Sequence, residues 1–292
     1  MAGPKFSIIT ASFNSIRTIQ QTIESVQTQD FQDWEHWVID GGSKDGTIEL
    51  VKTYPHLKWI SEKDSGLYDA MNKGIERASG EILLMLNSDD CLVPGALRKV
   101  ADAFAAHPDW DAAFGDIIYV DGAGNEIYRR EEAVYDYDIL RLSGVCYIIH
   151  QTLFVKKAVH DRIGLYRHRD FLNSADYEFI LRMGREGCRV GHIPEYIVRF
   201  RIHEFGQTAD DRVRRNIARE VSVILKEYGR PDGMLGTVLR AVMRGKRQAQ
   251  KLLYRGKIDL VPGTRKLKKY VKSKTSFTSN AMKELEAREK GH

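Results

Sequence analysis

The chain has 292 residues, 42% hydrophobic and 29% charged, enough apolar material for one larger domain or one domain with an appendage. No apolar run approaches the ~20 residues a bilayer span requires, and the start, Met1 to Phe13, is too short in its apolar part for a secretory signal. The formal charge of +5 conceals an asymmetry: positions 212–274 hold 19 Lys/Arg against 4 Asp/Glu, which leaves positions 1–211 at a net −10. An acidic body with a basic arm suggests either an anionic surface as the arm's partner or a solvated helical face with none. Three cysteines, Cys91, Cys146 and Cys188, are odd in number and lack zinc spacing. They point to thiols in a reducing compartment and to a cytoplasmic protein.

In chain order, Phe6 to Ile9 predicts a strand. Ile16, Ile19, Ile23 and Val26 then recur at helical spacing behind a cap at Asn14 or Ser15. Trp37 to Ile39 predicts a second strand that stops at Asp40-Gly41-Gly42, and Lys58 to Ile60 a third. Leu67, Met71, Ile75 and Ala78 mark the apolar face of a helix ended by Gly80. The unbroken run Ile82 to Leu86 fits a strand covered on both faces. Such alternation predicts a wound α/β sheet. Further on, strands are expected over 112–120, 125–128, 146–155 and 196–202, with a helix over 175–186. From Asp210 the pattern is helical and basic, interrupted at 229–233 and 262–263, and residues from Thr275 carry too few apolar side chains to pack alone. Three segments follow: a domain over 1–208 with halves 1–110 and 111–208, a basic helical extension over 209–274, and a flexible tail over 275–292.

Two acidic clusters stand just after predicted strands, Asp40 with Asp45 and the pair Asp89-Asp90. Ligands of open α/β sheets bind beyond the carboxyl ends of the strands. A single Asp there is usually a turn former, but adjacent carboxylates repel unless a cation or donor sits between them. Mg²⁺ or Mn²⁺ takes one or two carboxylates together with substrate phosphates, so a nucleoside diphosphate is a natural tenant. The chain has no Gly-x-x-x-x-Gly-Lys-Ser/Thr loop. Its first strand leads into Thr10-Ala11-Ser12-Phe13-Asn14 rather than a Gly-x-Gly-x-x-Gly turn, which argues against P-loop and dinucleotide sites.

Four segments in order carry a resemblance: Ser7-Ile8-Ile9-Thr10 with Asn14, Asp40 to Thr47, Lys63 to Gly74, and Leu86-Asn87-Ser88-Asp89-Asp90. Over residues 5–205 the chain resembles the family 2 glycosyltransferases of the GT-A fold, in the subgroup that builds bacterial surface polysaccharides. The resemblance implies a Rossmann-like, mostly parallel sheet flanked by helices. It also implies an inverting transfer from a nucleotide-diphosphate sugar, a UDP-sugar first, to a hydroxyl of a glycan or polyprenyl-linked acceptor. Thr10, Ser12, Asp40, Lys63, Asn87 and Asp89 would lie on the nucleotide-sugar side, with Asp40 at the base and Lys63 either at phosphate or base or simply solvated. The Asp-x-Asp metal motif begins here with Asn87, whose amide adds no charge. Ligation of Mn²⁺ or Mg²⁺ would fall to Asp89 and Asp90, mainly with bound diphosphate, and His203 could complete the site or be structural.

An inverting transfer needs a base for the acceptor hydroxyl. In Ser174-Ala175-Asp176-Tyr177-Glu178 the resemblance assigns it to Asp176, which could otherwise be a first-turn acid favoured by the helix dipole; Glu178 is the weaker alternative. His150 and Gln151 match an acceptor-side feature, or form a buried pair. Beyond the resemblance, Val238, Val242, Leu252, Leu253 and Tyr254 stand among Arg240, Arg244, Lys246, Arg247, Lys251 and Arg255. They could make a helix peripheral to the inner face of an anionic membrane, or a pair of helices packing on themselves. No nucleic-acid module accompanies them. Rival readings are a sugar-1-phosphate nucleotidyltransferase, expected to carry a Gly-rich basic loop that Thr10 to Arg17 lacks, and a nucleotide-sugar binding protein without catalysis.

Overall fold

In the computed structural model, which describes residues 3–202 and 211–255, the alternating periods become a single wound sheet. β1 (Phe6–Ser12), α1 (Ile19–Gln27), β2 (Trp34–Asp40), α2 (Thr47–Val51), β3 (Leu57–Ser61), α3 (Leu67–Arg77) and β4 (Ile82–Met85) form the first half. β5 (Cys91–Leu92), α4 (Ala96–Ala106), β6 (Ala112–Val120), β7 (Glu126–Arg130), α5 (Tyr137–Ser143), β8 (Leu153–Lys156), α6 (Lys157–Ile163), α7 (Ala175–Arg185) and β9 (Val190–Arg201) follow. The sheet runs β3-β2-β1-β4-β8-β6-β9-β5, with β7 on β6. β1 to β4 pair in parallel, β8 enters antiparallel between β4 and β6, and β6 with β9 is parallel again.

Side chains alternate across this sheet, as a period of two demands. β1 sends Ile9 and Ala11 to the layer that holds α3 and α7, and Phe6 and Ile8 to the layer that holds α4. Gly74 lets α3 lie close on the sheet, because a Cβ there would sit 2.3 Å from Ile9 Cγ2. Two expectations need correction. The helix after β1 begins at Ile19, with no side-chain cap at Thr18. The Asn14–Ser15 stretch is instead held by the second loop, through Ser15 N to Thr47 Oγ1 (2.9 Å) and Ile16 N to Asp45 Oδ2 (3.1 Å). The strand expected over 146–155 shrinks to Leu153–Lys156, preceded by a 3-10 turn at His150–Thr152. Ile149's carbonyl, drawn to Thr152 N and Oγ1, leaves the ladder.

The described part of the basic extension is two helices, α8 (Asp211–Glu227) and α9 (Gly233–Arg255), broken where Gly229 and Gly233 adopt left-handed φ. The rest of it, 256–274, and the tail over 275–292 lie outside the described residues. α9 packs against α5, and its charged side chains turn inward. Arg247 grips both oxygens of buried Glu132 (2.7 and 2.6 Å), Arg255 pairs with buried Asp116, and Lys246 reaches Asp136 at 2.7 Å. The acid excess of the body therefore meets the base excess of the arm, and Val238, Val242 and Leu253 are left more than half exposed. No helix among the described residues is long and apolar enough to cross a membrane.

Two buried histidines make the fold acid-sensitive. Burial holds His36, bonded to Thr10 Oγ1 at 2.9 Å, and His160, stacked on Phe179 at 4.6 Å, each at a pKa of about 3. A depressed folded pKa means the unfolded chain takes the proton first. Stability is therefore complete above about pH 6.5 and falls as pH drops toward 3. Each histidine should remove roughly 2 kcal/mol between pH 7.5 and 5. His160→Phe keeps the ring stack and deletes the titration, so urea unfolding at the two pH values should show that much less acid loss. An unchanged slope would refute a neutral His160.

Candidate active site

The chain lays β1, β2 and β3 outward in one direction, then returns to place β4 on the other side of β1. A crevice opens at the carboxyl edge wherever strand order reverses in this way. The register aligns Ser12 with Asp40 and Asp40 with Ser61. Leu86 N donates to Ile9 O at 2.9 Å, so Asn87–Asp90 leaves the sheet beside Thr10–Ser12. Ser15 Oγ and Ser88 Oγ, 2.8 Å apart, bridge the two sides.

On the β2 side, fully buried Asp40 organises its own loop. Oδ2 accepts from Gly42 N (3.0 Å), Ser43 N (2.9 Å) and Ser61 Oγ (2.6 Å), and Oδ1 from Ser43 Oγ. A nucleobase at Asp40 would share oxygens that already accept these bonds. Thr10 is buried with its hydroxyl on His36, Ser12 Oγ is buried with no partner, and Lys63 is exposed. Gly41 lets the next segment close in, since a Cβ there would lie 2.6 Å from Asp64 Oδ2.

On the β4 side, Asp90 is almost wholly buried. Its Oδ1 accepts from Arg201 N at 2.9 Å, while Oδ2 and the neighbouring Asn87 Oδ1 have no partner. Burial first, and the charge of Asp89 second, push the Asp90 carboxyl well above the usual carboxylate range. Asp89 is half-buried on the same turn. Two carboxylates and an orphaned amide oxygen suit an ion that takes its remaining ligands from a phosphate. Among the described residues no group of three or more His, Cys, Asp and Glu side chains could hold one unaided. His203 lies outside the described residues.

Sequence reasoning overlooks Arg201, the clamp of this turn. Buried at the end of β9, it donates Nε to Asp89 O (3.0 Å), Nη1 to Gly122 O (2.8 Å) and Nη2 to Gln21 Oε1. β9 also carries His192, Glu195 and Arg199, so no local pattern singles Arg201 out.

Asp176, half-buried in the first turn of α7, accepts Tyr68 Oη and its neighbour's Tyr177 N, each at 2.8 Å. Tyr68 comes from the first turn of α3, so one bond spans 108 positions and joins the two halves. Burial first, then the Asp176 charge, raise the Tyr68 hydroxyl well above its ordinary pKa, which keeps it a donor. His150 Nε2 meets Tyr166 Oη at 2.7 Å, and its ring lies edge-on to Tyr68, while Gln151 is buried beside it. Asn72 fastens this corner by donating to Tyr166 O (2.9 Å) and accepting from Tyr166 N (3.0 Å). Glu178 has a different job: fully buried, it pairs with Arg182 at 2.9 Å and accepts Tyr228 Oη at 2.8 Å. It anchors α8 to the domain. Tyr68 and Asn72 lie inside the Lys63–Gly74 segment, where the motif marked the region but not the contacts.

The wound sheet, the acidic run at its reversal and the α7 carboxylate held against α3 define an α/β architecture with its candidate site beyond the carboxyl ends of the parallel strands. Residues 7–169 match the model of Glycosyl transferase family 2, and the chain belongs to that family. It is 33% identical over 189 residues to a "PGL/p-HBAD biosynthesis glycosyltransferase" of Mycobacterium bovis, covering 62% of this chain and 70% of the relative. To EpsE of Bacillus subtilis it is 26% identical over 207 residues, covering 68% and 74%. Among solved structures, a 1–349 fragment of S. aureus TarS matches with a TM-score of 0.54 at 23% identity, covering 74% of this chain and 65% of that one. The same fragment in complex with UDP matches with a TM-score of 0.56 at 21% identity, covering 77% and 71%. These structural likenesses concern the fold. Family membership makes the chain a glycosyltransferase and sets aside the nucleotidyltransferase reading.

Proposed function

We propose that this glycosyltransferase moves a sugar, with inversion, from a nucleotide-diphosphate sugar to a hydroxyl of a glycan or polyprenyl-linked acceptor in cell-surface polysaccharide synthesis. The reading rests chiefly on the Tyr68–Asp176 bond, which fixes a carboxylate from α7 against the half that carries the nucleotide-side segments. Asp176 accepts the acceptor's proton as that oxygen bonds to the anomeric carbon. The bond from that carbon to the diphosphate oxygen breaks, and the nucleoside diphosphate leaves. Tyr68 is a positioning residue that holds the carboxylate's direction. Asp89 and Asp90 would hold Mn²⁺ or Mg²⁺ with the diphosphate, and the ion would supply charge stabilisation for the leaving group. UDP is the favoured nucleotide, in keeping with the UDP and UDP-GlcNAc complexes of TarS. The exposed apolar face of α9 supports a cytoplasmic enzyme peripheral on the inner membrane surface.

A thermal-shift panel of UDP-, GDP- and dTDP-sugars, with and without Mn²⁺, tests the donor and the ion together. Ligand at a hundred times Kd adds about 2.7 kcal/mol of apparent stability. A UDP-sugar should raise Tm with Mn²⁺ and much less without it, and Asp89→Ala should erase the difference. A panel in which no nucleotide sugar shifts Tm would overturn the donor assignment.

A further inference from the structure

Away from the cleft, the end of α5, one face of α8 and one face of α9 enclose an open cavity of about 400 Å³. Arg214, Arg230, Arg240 and Arg244 line it, and among the described residues no carboxylate does. The contrast along α9 is sharp. Arg247 and Arg255 end on buried acids, whereas Arg240 and Arg244 on the same helix, and Arg230 in the turn before it, form no ion pair among the described residues. Arg240 Nε is buried without a hydrogen-bond acceptor. Asp232 is the acid whose charge acts on Arg230, opposed by the charge of Arg240. Gly144, at φ 66, gives the floor its shape, because a Cβ there would come within 3.1 Å of Arg230 Nη1 and 3.0 Å of Leu225 Cδ1.

Guanidinium groups keep their charge at neutral pH, so the proximity of Arg230, Arg240 and Arg244, with no ion pair among the described residues, favours the entry of an anion. Their forked N–H groups match the oxygens of a phosphate. The source of that phosphate is indicated by the neighbouring surface. Met234, Val238 and Val242, one turn apart, and Leu235 and Leu253 beside them form a stripe along α9, each more than half exposed. The sequence beyond α9 supplies seven more Lys/Arg against one acid between positions 256 and 274. An apolar stripe beside an arginine cavity, with a basic segment following, complements a surface that offers phosphate above hydrocarbon.

We propose that this cavity binds the phosphate headgroup of an anionic lipid while the α9 stripe enters the membrane interface. The lipid source rests on the peripheral-membrane reading above; the phosphate chemistry rests on the arginines. Flotation of the full chain with phosphatidylcholine vesicles containing phosphatidic acid, or phosphatidylserine at matched charge, tests it, with inorganic pyrophosphate titrated in EDTA as the soluble arm. Wild type should float best with phosphatidic acid. Arg240→Gln/Arg244→Gln should weaken that binding at least tenfold and abolish pyrophosphate binding, and Arg240→Lys/Arg244→Lys should lose the headgroup preference while keeping salt-sensitive attraction. Leu235→Gln/Leu253→Gln should lose flotation yet still bind pyrophosphate. An unchanged UDP-sugar thermal shift in each variant reports an intact fold. Equal flotation of wild type and the Gln pair would overturn the cavity and leave the membrane reading standing. Pyrophosphate binding without flotation, or a stripe that instead makes dimers in sedimentation, would overturn the lipid source. Binding to neither probe would overturn the site.

Discussion

Asp176→Asn is expected to lower the transfer rate by about 10²–10⁴, the range a positioned general base contributes, with the donor's Kd unchanged. The substitution is nearly isosteric, and an amide oxygen can still accept from Tyr68 Oη and Tyr177 N, so the α3–α7 junction should persist. What disappears is the carboxylate proposed to take the acceptor's proton. Glu178→Gln provides the contrast. Glu178 is fully buried against Arg182 and Tyr228, so weakening it should unbalance a buried pair and cost stability, about 3–5 kcal/mol if the charge on Arg182 is left unmatched. Single-turnover kinetics beside urea unfolding separates the two. Retention of near-normal turnover in Asp176→Asn would remove it as the base.

Arg201→Ala should have the largest effect on the integrity of the cleft. Its side chain satisfies the carbonyls of Asp89 and Gly122 and the amide of Gln21 together, tying the Asn87–Asp90 turn to the end of β9 and to α1. Truncation removes a buried guanidinium whose bonds end on half-buried Asp89 and on Gly122 and Gln21 at the surface, and a loss of about 1.5–3 kcal/mol follows from the usual worth of hydrogen bonds to a charged group. Arg201→Lys should recover only part of this, since one ammonium cannot reproduce three diverging N–H bonds. Because Asp89 would also be released, Mn²⁺-dependent donor binding should weaken by at least tenfold in both variants. Stability and binding equal to wild type would show that the turn holds itself.

How much of this is legible in the sequence depends on how local its cause is. β1, β2, β4 and α3 announce themselves through apolar runs and a helical period, because covering both faces of a parallel sheet favours runs such as Ile8-Ile9, Val38-Ile39 and Ile82 to Met85, with the polar side chains between them satisfied inside the fold. α4, with Leu97, Val100, Ala101 and Phe104 on one face, carries an equally plain period although the sequence reading above does not assign it. α5 and α6, at seven residues each, are too short for periodicity to declare them. The strand expected over 146–155 loses its first part for a tertiary reason. Arg130 claims the carbonyl of Tyr147, and Tyr147's own hydroxyl bonds Asp136 N and Val134 O, so this apolar stretch packs as a loop.

The site divides along the same line. Asn87-Ser88-Asp89-Asp90, Asp40 and Asp176 stand out from residue type and position after a strand or before a helix, which is information the local sequence holds. Their partners do not: Tyr68 reaches Asp176 across 108 positions, and Arg201 reaches Asp89 across 112. The basic arm shows the difference most clearly. Its charge was evident from composition, and so was its apolar content. Only the folded chain decided that Arg247 and Arg255 face inward to Glu132 and Asp116 while Met234, Val238 and Leu253 face outward. The sequence by itself determined the family, the parallel half of the sheet and the acidic edge, all set by local pattern. The tertiary structure decided which charges are matched and which face of α9 is free, because a buried acid selects its partner by distance in space and not by distance along the chain.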